Sequence, residues 1–155
     1  MPTNDMRRRA KPRLSLAVQY ATKNEHVPTR AQLRRWVRAA LDRDATIALR
    51  IVDRAEGRAL NRDFRHKDYA TNVLTFVYDE TASNALAGDV VLCAPVVASE
   101  AKTQRKAQLH HYAHLVIHAT LHLQGHDHEQ EHDAEVMESC EIEILSRMKI
   151  SNPYS

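Results

Sequence analysis

The stretch HATLHLQGHDH, residues 118 to 128, restricts this chain more than any other. It sets His118 and His122 four apart in an apolar run and returns His128 six residues later, just beyond Gly125. On a helix, residues four apart stack one turn above another, so two imidazoles can approach one metal ion from the same side. A glycine directly after the last helical residue tolerates the left-handed backbone that turns the chain. Gly125 is placed to let His128 swing back towards the same point. Three histidines would hold one zinc ion and leave its fourth position open, as at a catalytic rather than a closed structural site.

The choice of ligands has to be argued, because eight of the ten histidines lie between residues 110 and 132. His114 sits one turn further up the same face, but about 12 Å separates His114 from His122 along a straight helix. Two ligands of one tetrahedral ion lie only about 3.4 Å apart, which excludes the set 114, 118 and 122. Spacing does not separate His126 from His128. The plainer alternative is a histidine-rich surface tract with adventitious metal affinity.

Tyr112, Ala113, Val116, Ile117 and Leu121 wrap widely around the histidine helix, so it is expected to be central and buried. Such burial would hold His118 and His122 rigidly, as a preorganised site requires. Leu14, Leu16, Val18 and Tyr20 alternate as in a strand, as do Ile47, Leu49 and Ile51 within TIALRIV, residues 46 to 52. VLTFV, 73 to 77, reads as a short buried strand and AGDVVLC, 87 to 93, as another, joined by a polar connection over 79 to 88.

Helices are expected elsewhere. Thr29 and Gln32 have capping-box spacing ahead of Leu33, Trp36, Val37, Ala40 and Leu41; Asp53 with Glu56 marks a second start. A third helix runs from Pro95 to about residue 107, and a last from about 132 to 149 with Met137, Cys140, Ile144 and Met148 on one stripe. Residues 1 to 13 carry Arg7, Arg8, Arg9, Lys11 and Arg13 with few apolar partners and read as a disordered basic arm. The remainder, 14 to 155, reads as a single α+β domain: a small four-stranded mixed sheet packed against the central histidine-bearing helix and flanking helices.

Composition, with 43% hydrophobic and 27% charged residues, is ordinary for a globular chain of 155 residues. Cys93 and Cys140 lack paired spacing and sit among apolar neighbours, as buried thiols in a reducing compartment do. No apolar run approaches a membrane span and none follows the N-terminal arginines in signal-peptide fashion, so the expectation is a cytoplasmic protein without a membrane partner. The net charge of +2 conceals an asymmetry, with 17 Lys and Arg against 8 Asp and Glu up to residue 77, and 5 against 12 thereafter. A basic half beside a metal site suggests a phosphate-bearing polymer, although a solvated basic surface would look the same. Arg30, Arg34 and Arg38 share one helical line and pose the same choice. The glycines at 57, 88 and 125 leave no Gly-rich phosphate loop, which disfavours a nucleotide-binding fold.

A metal held by imidazoles can activate water and polarise a carbonyl or phosphoryl oxygen, so peptide and phosphodiester hydrolysis both fit. Helical zinc peptidases need a Glu directly after the first histidine, and that position here is Ala119, which cannot move a proton. The residues then resemble a known family. AHLVIHATLHLQGHDH, 113 to 128, resembles the metal motif of the bacterial YbeY endoribonucleases. FRHKDYATNVLTF (64 to 76), AGDVVL (87 to 92) and the closing NPY (152 to 154) are similar to further family segments in the same order. Ala119 stands where the family commonly has Gly, His126 where it has Tyr, Ala70 and Val77 where it has Pro, and Thr75 where it has Ser.

The resemblance implies one Zn2+ per chain on His118, His122 and His128, favouring His128 over His126, and puts Arg65 at the arginine implicated in activity. It implies hydrolysis of single-stranded RNA in maturing the 3′ end of small-subunit ribosomal RNA and in ribosome quality control, with the small ribosomal subunit and associated factors as partners. Arg65, permanently charged and planar, would neutralise charge developing on the phosphate. Asp127 could orient a ligand imidazole, and a role for His114 stays open. Two other readings remain: a ribosome-assembly factor whose zinc is structural and whose nuclease activity is incidental, and a zinc metallopeptidase.

Overall fold

The computed structural model describes residues 11–78, 85–125 and 131–155. In chain order these residues form β1 (Leu14–Ala21), α1 (Arg30–Ala40), β2 (Ala45–Val52), α2 (Arg54–Arg65), β3 (Val73–Val77), β4 (Leu86–Cys93), α3 (Ala94–Thr103), α4 (Gln108–Leu123) and α5 (Glu131–Arg147). The strands lie in the order β1-β2-β4-β3. β1, β2 and β4 run parallel, and β3 returns antiparallel on β4 with Thr75 opposite Val90. The expected α+β domain with a mixed sheet is what the chain forms. Among the described residues no helix is long and apolar enough to cross a membrane.

Alternation along the strands divides the apolar residues between two faces. Ile47, Leu49, Ile51, Val90 and Leu92 face the larger core with Leu33, Trp36 and Val37 of α1 and Tyr112, Val116 and Ile117 of α4. Val52, Leu74, Val91 and Cys93 face the opposite way, where Leu60 of α2 and Val96 of α3 pack on them. The histidine helix therefore lies on one side of the sheet and α2 on the other. Cys93 is buried and Cys140 half-buried, both as free thiols.

Local chemistry sets the helix ends. At the start of α1, Thr29 accepts from the Gln32 amide at 3.1 Å while the Gln32 side chain accepts from the Thr29 amide at 2.9 Å, the expected capping box. Asp53 does occupy the N-cap of α2, but its side chain does not cap the helix. It accepts instead from the Thr22 hydroxyl and, at 3.0 Å, from the Lys23 amide, so it ties the end of β1 to the start of α2. Helix α3 stops at Thr103 rather than near 107, because Arg105 takes a left-handed φ of 56° and the Lys106 amide bonds back to Ala101 at 2.9 Å. In α5 the fully buried positions are Met137, Glu141 and Leu145, whereas Cys140, Ile144 and Met148 only flank the core. The buried stripe is thus rotated from the expected one, and it contains a carboxylate.

The line of Arg30, Arg34 and Arg38 is spent on the sheet. Their guanidinium groups donate to the carbonyls of Val18 at 3.4 Å, Leu14 at 3.2 Å and Pro12 at 3.4 Å. β1 is an edge strand, and unpaired edge carbonyls invite other chains, so this ladder of arginines protects the edge. The proposed basic arm falls largely outside the described residues. Arg13, its last member, is held by Asp44 and Ala45.

Gly88 is required by close approach. A Cβ there would stand 2.8 Å from the Phe76 carbonyl oxygen of β3 and 2.9 Å from a methyl of Leu123 on α4. Replacing Gly88 by Ala should therefore cost about 1–3 kcal/mol of stability, read as a lowered urea midpoint with an unchanged slope.

Candidate metal centre

From residue 111 to residue 123, every residue of α4 is buried except His114, His118 and His122. The core thus leaves one line of this helix facing outward, and histidines occupy it at intervals of four. The rings of His114 and His118 lie 6.3 Å apart, edge to face. The far end of the line is fixed by Gln124, whose side chain donates to Ala40 at 2.7 Å and Thr120 at 3.0 Å and accepts from the Asp42 amide at 2.7 Å. Gly125 then takes the left-handed φ of 98° anticipated for the turn, its amide bonded to the His122 carbonyl at 3.0 Å. Residues 126–130 lie outside the described residues, so the expectations for His126, Asp127 and His128 fall there. Among the described residues no three side chains gather as a metal-binding group; His118 and His122 are two of the three expected ligands.

The donor set suits a metal because of what stands behind His118. Its Nδ1 lies 3.0 Å from Oε1 of Glu141, a fully buried carboxylate on α5. The same oxygen is 2.9 Å from His114 Nε2, and both Glu141 oxygens accept from the Tyr154 hydroxyl, at 3.1 and 3.0 Å. Burial pushes the Glu141 carboxyl up, but the hydrogen bonds and charges of His114 and His118 outweigh it and hold it down to about 2. Burial, reinforced by the Glu141 charge, raises the Tyr154 phenol. A neutral imidazole that donates its Nδ1–H to a carboxylate carries its lone pair on Nε2, the pairing usual for metal-bound histidine. His114 has its Nε2 turned to Glu141 instead.

Arg65 belongs to the last turn of α2, on the other face of the sheet, and is exposed. It makes no ion pair among the described residues. Its neighbour Phe64 packs edge to face against Phe76 of β3 at 5.3 Å, and β3 in turn packs against α4. The loop that follows is tied down. His66 turns it with a left-handed φ of 59°, the buried Asn61 donates to the Tyr69 carbonyl at 2.7 Å, and Arg58 grips Asp68 through two bonds of 2.7 and 2.9 Å.

A second polar cluster lies behind the site. Glu100 Oε1 accepts from Asn72 at 3.0 Å and meets His111 Nε2 at 2.9 Å, linking the loop before β3 to α3 and α4. Sequence reasoning missed Glu141, Gln124 and Glu100. For Glu141 a signal existed, an acidic residue at a core position four after Met137; for the other two, exposed-looking spacing concealed partners more than ten residues away.

Residues 17–149 match the profile of the family described as Endoribonuclease YbeY. The chain belongs to the YbeY endoribonuclease family. It is 57% identical over 143 residues to the Endoribonuclease YbeY of Thiobacillus denitrificans, covering 92% of this chain and 97% of the relative. It is 55% identical over 149 residues to that of Aromatoleum aromaticum, covering 94% and 96%. The solution structure of a Thermotoga maritima protein superposes with a TM-score of 0.57 at 23% identity, over 86% of this chain and 91% of that one, a likeness of fold.

Burial lowers the pKa of His111, against the smaller raising effect of Glu100, so the folded chain keeps this imidazole neutral where the unfolded chain would protonate it. Its contribution to stability is present above its ordinary value of about 6.5 and lost as pH falls below it. Urea unfolding from about pH 7.5 to about pH 5 should show a shallower loss of stability in His111→Gln than in the wild type.

Proposed function

We propose that this chain is a zinc-dependent endoribonuclease that cleaves single-stranded RNA in the cytoplasm. It would act in maturing the 3′ end of small-subunit ribosomal RNA and in ribosome quality control, with the small subunit and its associated factors as partners. Membership of the YbeY family carries this reading, and the outward histidine line of α4 supports it. His118, His122 and His128 would hold the ion. When bound, zinc supplies Lewis acidity at a phosphoryl oxygen and makes water easier to deprotonate at neutral pH.

The chain's own residues do the rest. The buried helix holds the first two imidazoles in register, and its pinned C-terminus keeps them there when RNA binds. Arg65, exposed at the end of α2 and unpaired among the described residues, is available to a phosphate, where its planar fork would balance charge that grows during cleavage. Not every arginine is so disposed. Arg50 is held by Glu56 and Arg58 by Asp68, which lowers both carboxyls and leaves those cations partly neutralised.

Parallel assays on single-stranded RNA and on casein, with and without chelator, test the reading. RNA cleavage should require the metal and casein should stay intact; metal-dependent casein cleavage would overturn the assignment. Arg65→Ala should lower kcat/KM on RNA by about 10²-fold with zinc content unchanged. His118→Ala should lose both zinc and cleavage, and cells relying on it should accumulate small-subunit RNA with unprocessed 3′ ends. A folded, zinc-free variant that still matures ribosomes would favour the assembly-factor reading.

A further inference from the structure

Glu141 has no exposure and no Lys or Arg against it among the described residues. A carboxylate removed from water is costly unless its lone pairs are satisfied, and an apolar side chain would have continued the Met137 and Leu145 stripe without that cost. Three donors converge on it from two parts of the chain: His114 and His118 of α4, and Tyr154 of the C-terminal segment. The Tyr154 ring also stacks edge to face on His114 at 5.2 Å. Packing alone does not call for such convergence on one oxygen.

We propose that Glu141 is the positioning residue for the metal ligand His118, clamped in turn by Tyr154 and His114. The inference rests on the zinc reading given above. An ionised carboxylate can only accept, so the His118 proton must sit on Nδ1 and the lone pair on Nε2, facing away from α5. The same bond fixes the ring's rotation and makes Nε2 a stronger donor to a cation. His114, with Nε2 committed to the same oxygen, is a support and not a ligand. Tyr154 closes the network from the chain's last turn, which gives the C-terminal NPY segment a part in holding the site.

The test uses the full chain. Ring-nitrogen NMR of the metal-free wild type should show His118 protonated at Nδ1; protonation at Nε2 would overturn the inference without recourse to any variant. Zinc affinity, by competition with a chromogenic chelator, should fall about 10- to 100-fold in Glu141→Gln. It should fall by less in Tyr154→Phe and stay unchanged in Glu143→Gln, an exposed control on the same helix. Unchanged affinity in Glu141→Gln, with wild-type binding intact, overturns the positioning role alone. A wild type that takes up no zinc overturns the metal reading and this inference together, even if the Nδ1 tautomer is found.

Discussion

Helix α4 touches α1, α3, α5, β3 and β4, and the cost of leaving any of those surfaces wet determines which way its side chains can face. Beyond its first turn only one line escapes burial, so whatever chemistry the helix carries has to lie on that line. Histidine at 114, 118 and 122 makes the line a row of imidazoles on a support that cannot rotate without exposing Tyr112, Val116 or Ile117. Packing, rather than intrinsic helix propensity, holds it, since its N-cap is Ala107 without a side-chain hydrogen bond.

Three polar side chains at this helix act as fasteners because each finds hydrogen-bond partners on other elements. Gln124 joins the end of α4 to the end of α1, Glu100 joins α3, α4 and the loop before β3, and Glu141 joins α4 to α5 and the C-terminal segment. A buried polar group left without its partner costs more than the bond itself contributes, so these contacts favour one arrangement over near alternatives. They tie the histidine helix to the elements packed against it and give the line the rigidity that a metal site needs.

The basic first half of the chain divides into different duties. Arg30, Arg34 and Arg38 cover the carbonyl edge of β1, Arg50 and Arg58 are engaged by Glu56 and Asp68, and Arg65 is exposed at the end of α2 with no ion pair among the described residues. Net charge by sequence position therefore overstates the positive surface open to an anion. Part of it is already neutralised, and part serves to keep a sheet edge from pairing with another chain.

Periodicity and capping made the elements legible: β3 begins and ends where its run of apolar β-formers does, and the Thr29 capping box is formed as its spacing foretold. Such features depend on neighbours within a few residues, which is why sequence alone reveals them. The i, i+4 histidines and the turn at Gly125 were legible for the same reason. What joins distant segments was not. Asp53 reads as a cap because its local spacing says so, yet Thr22 and Lys23, brought close by the parallel pairing of β1 and β2, compete for its oxygens and win. Glu141 reads as one more acidic residue of a charged helix. Only the packing of α5 against α4 removes it from water and presents it to His118, because desolvation and hydrogen bonding are set by neighbours in space and not by neighbours in the chain.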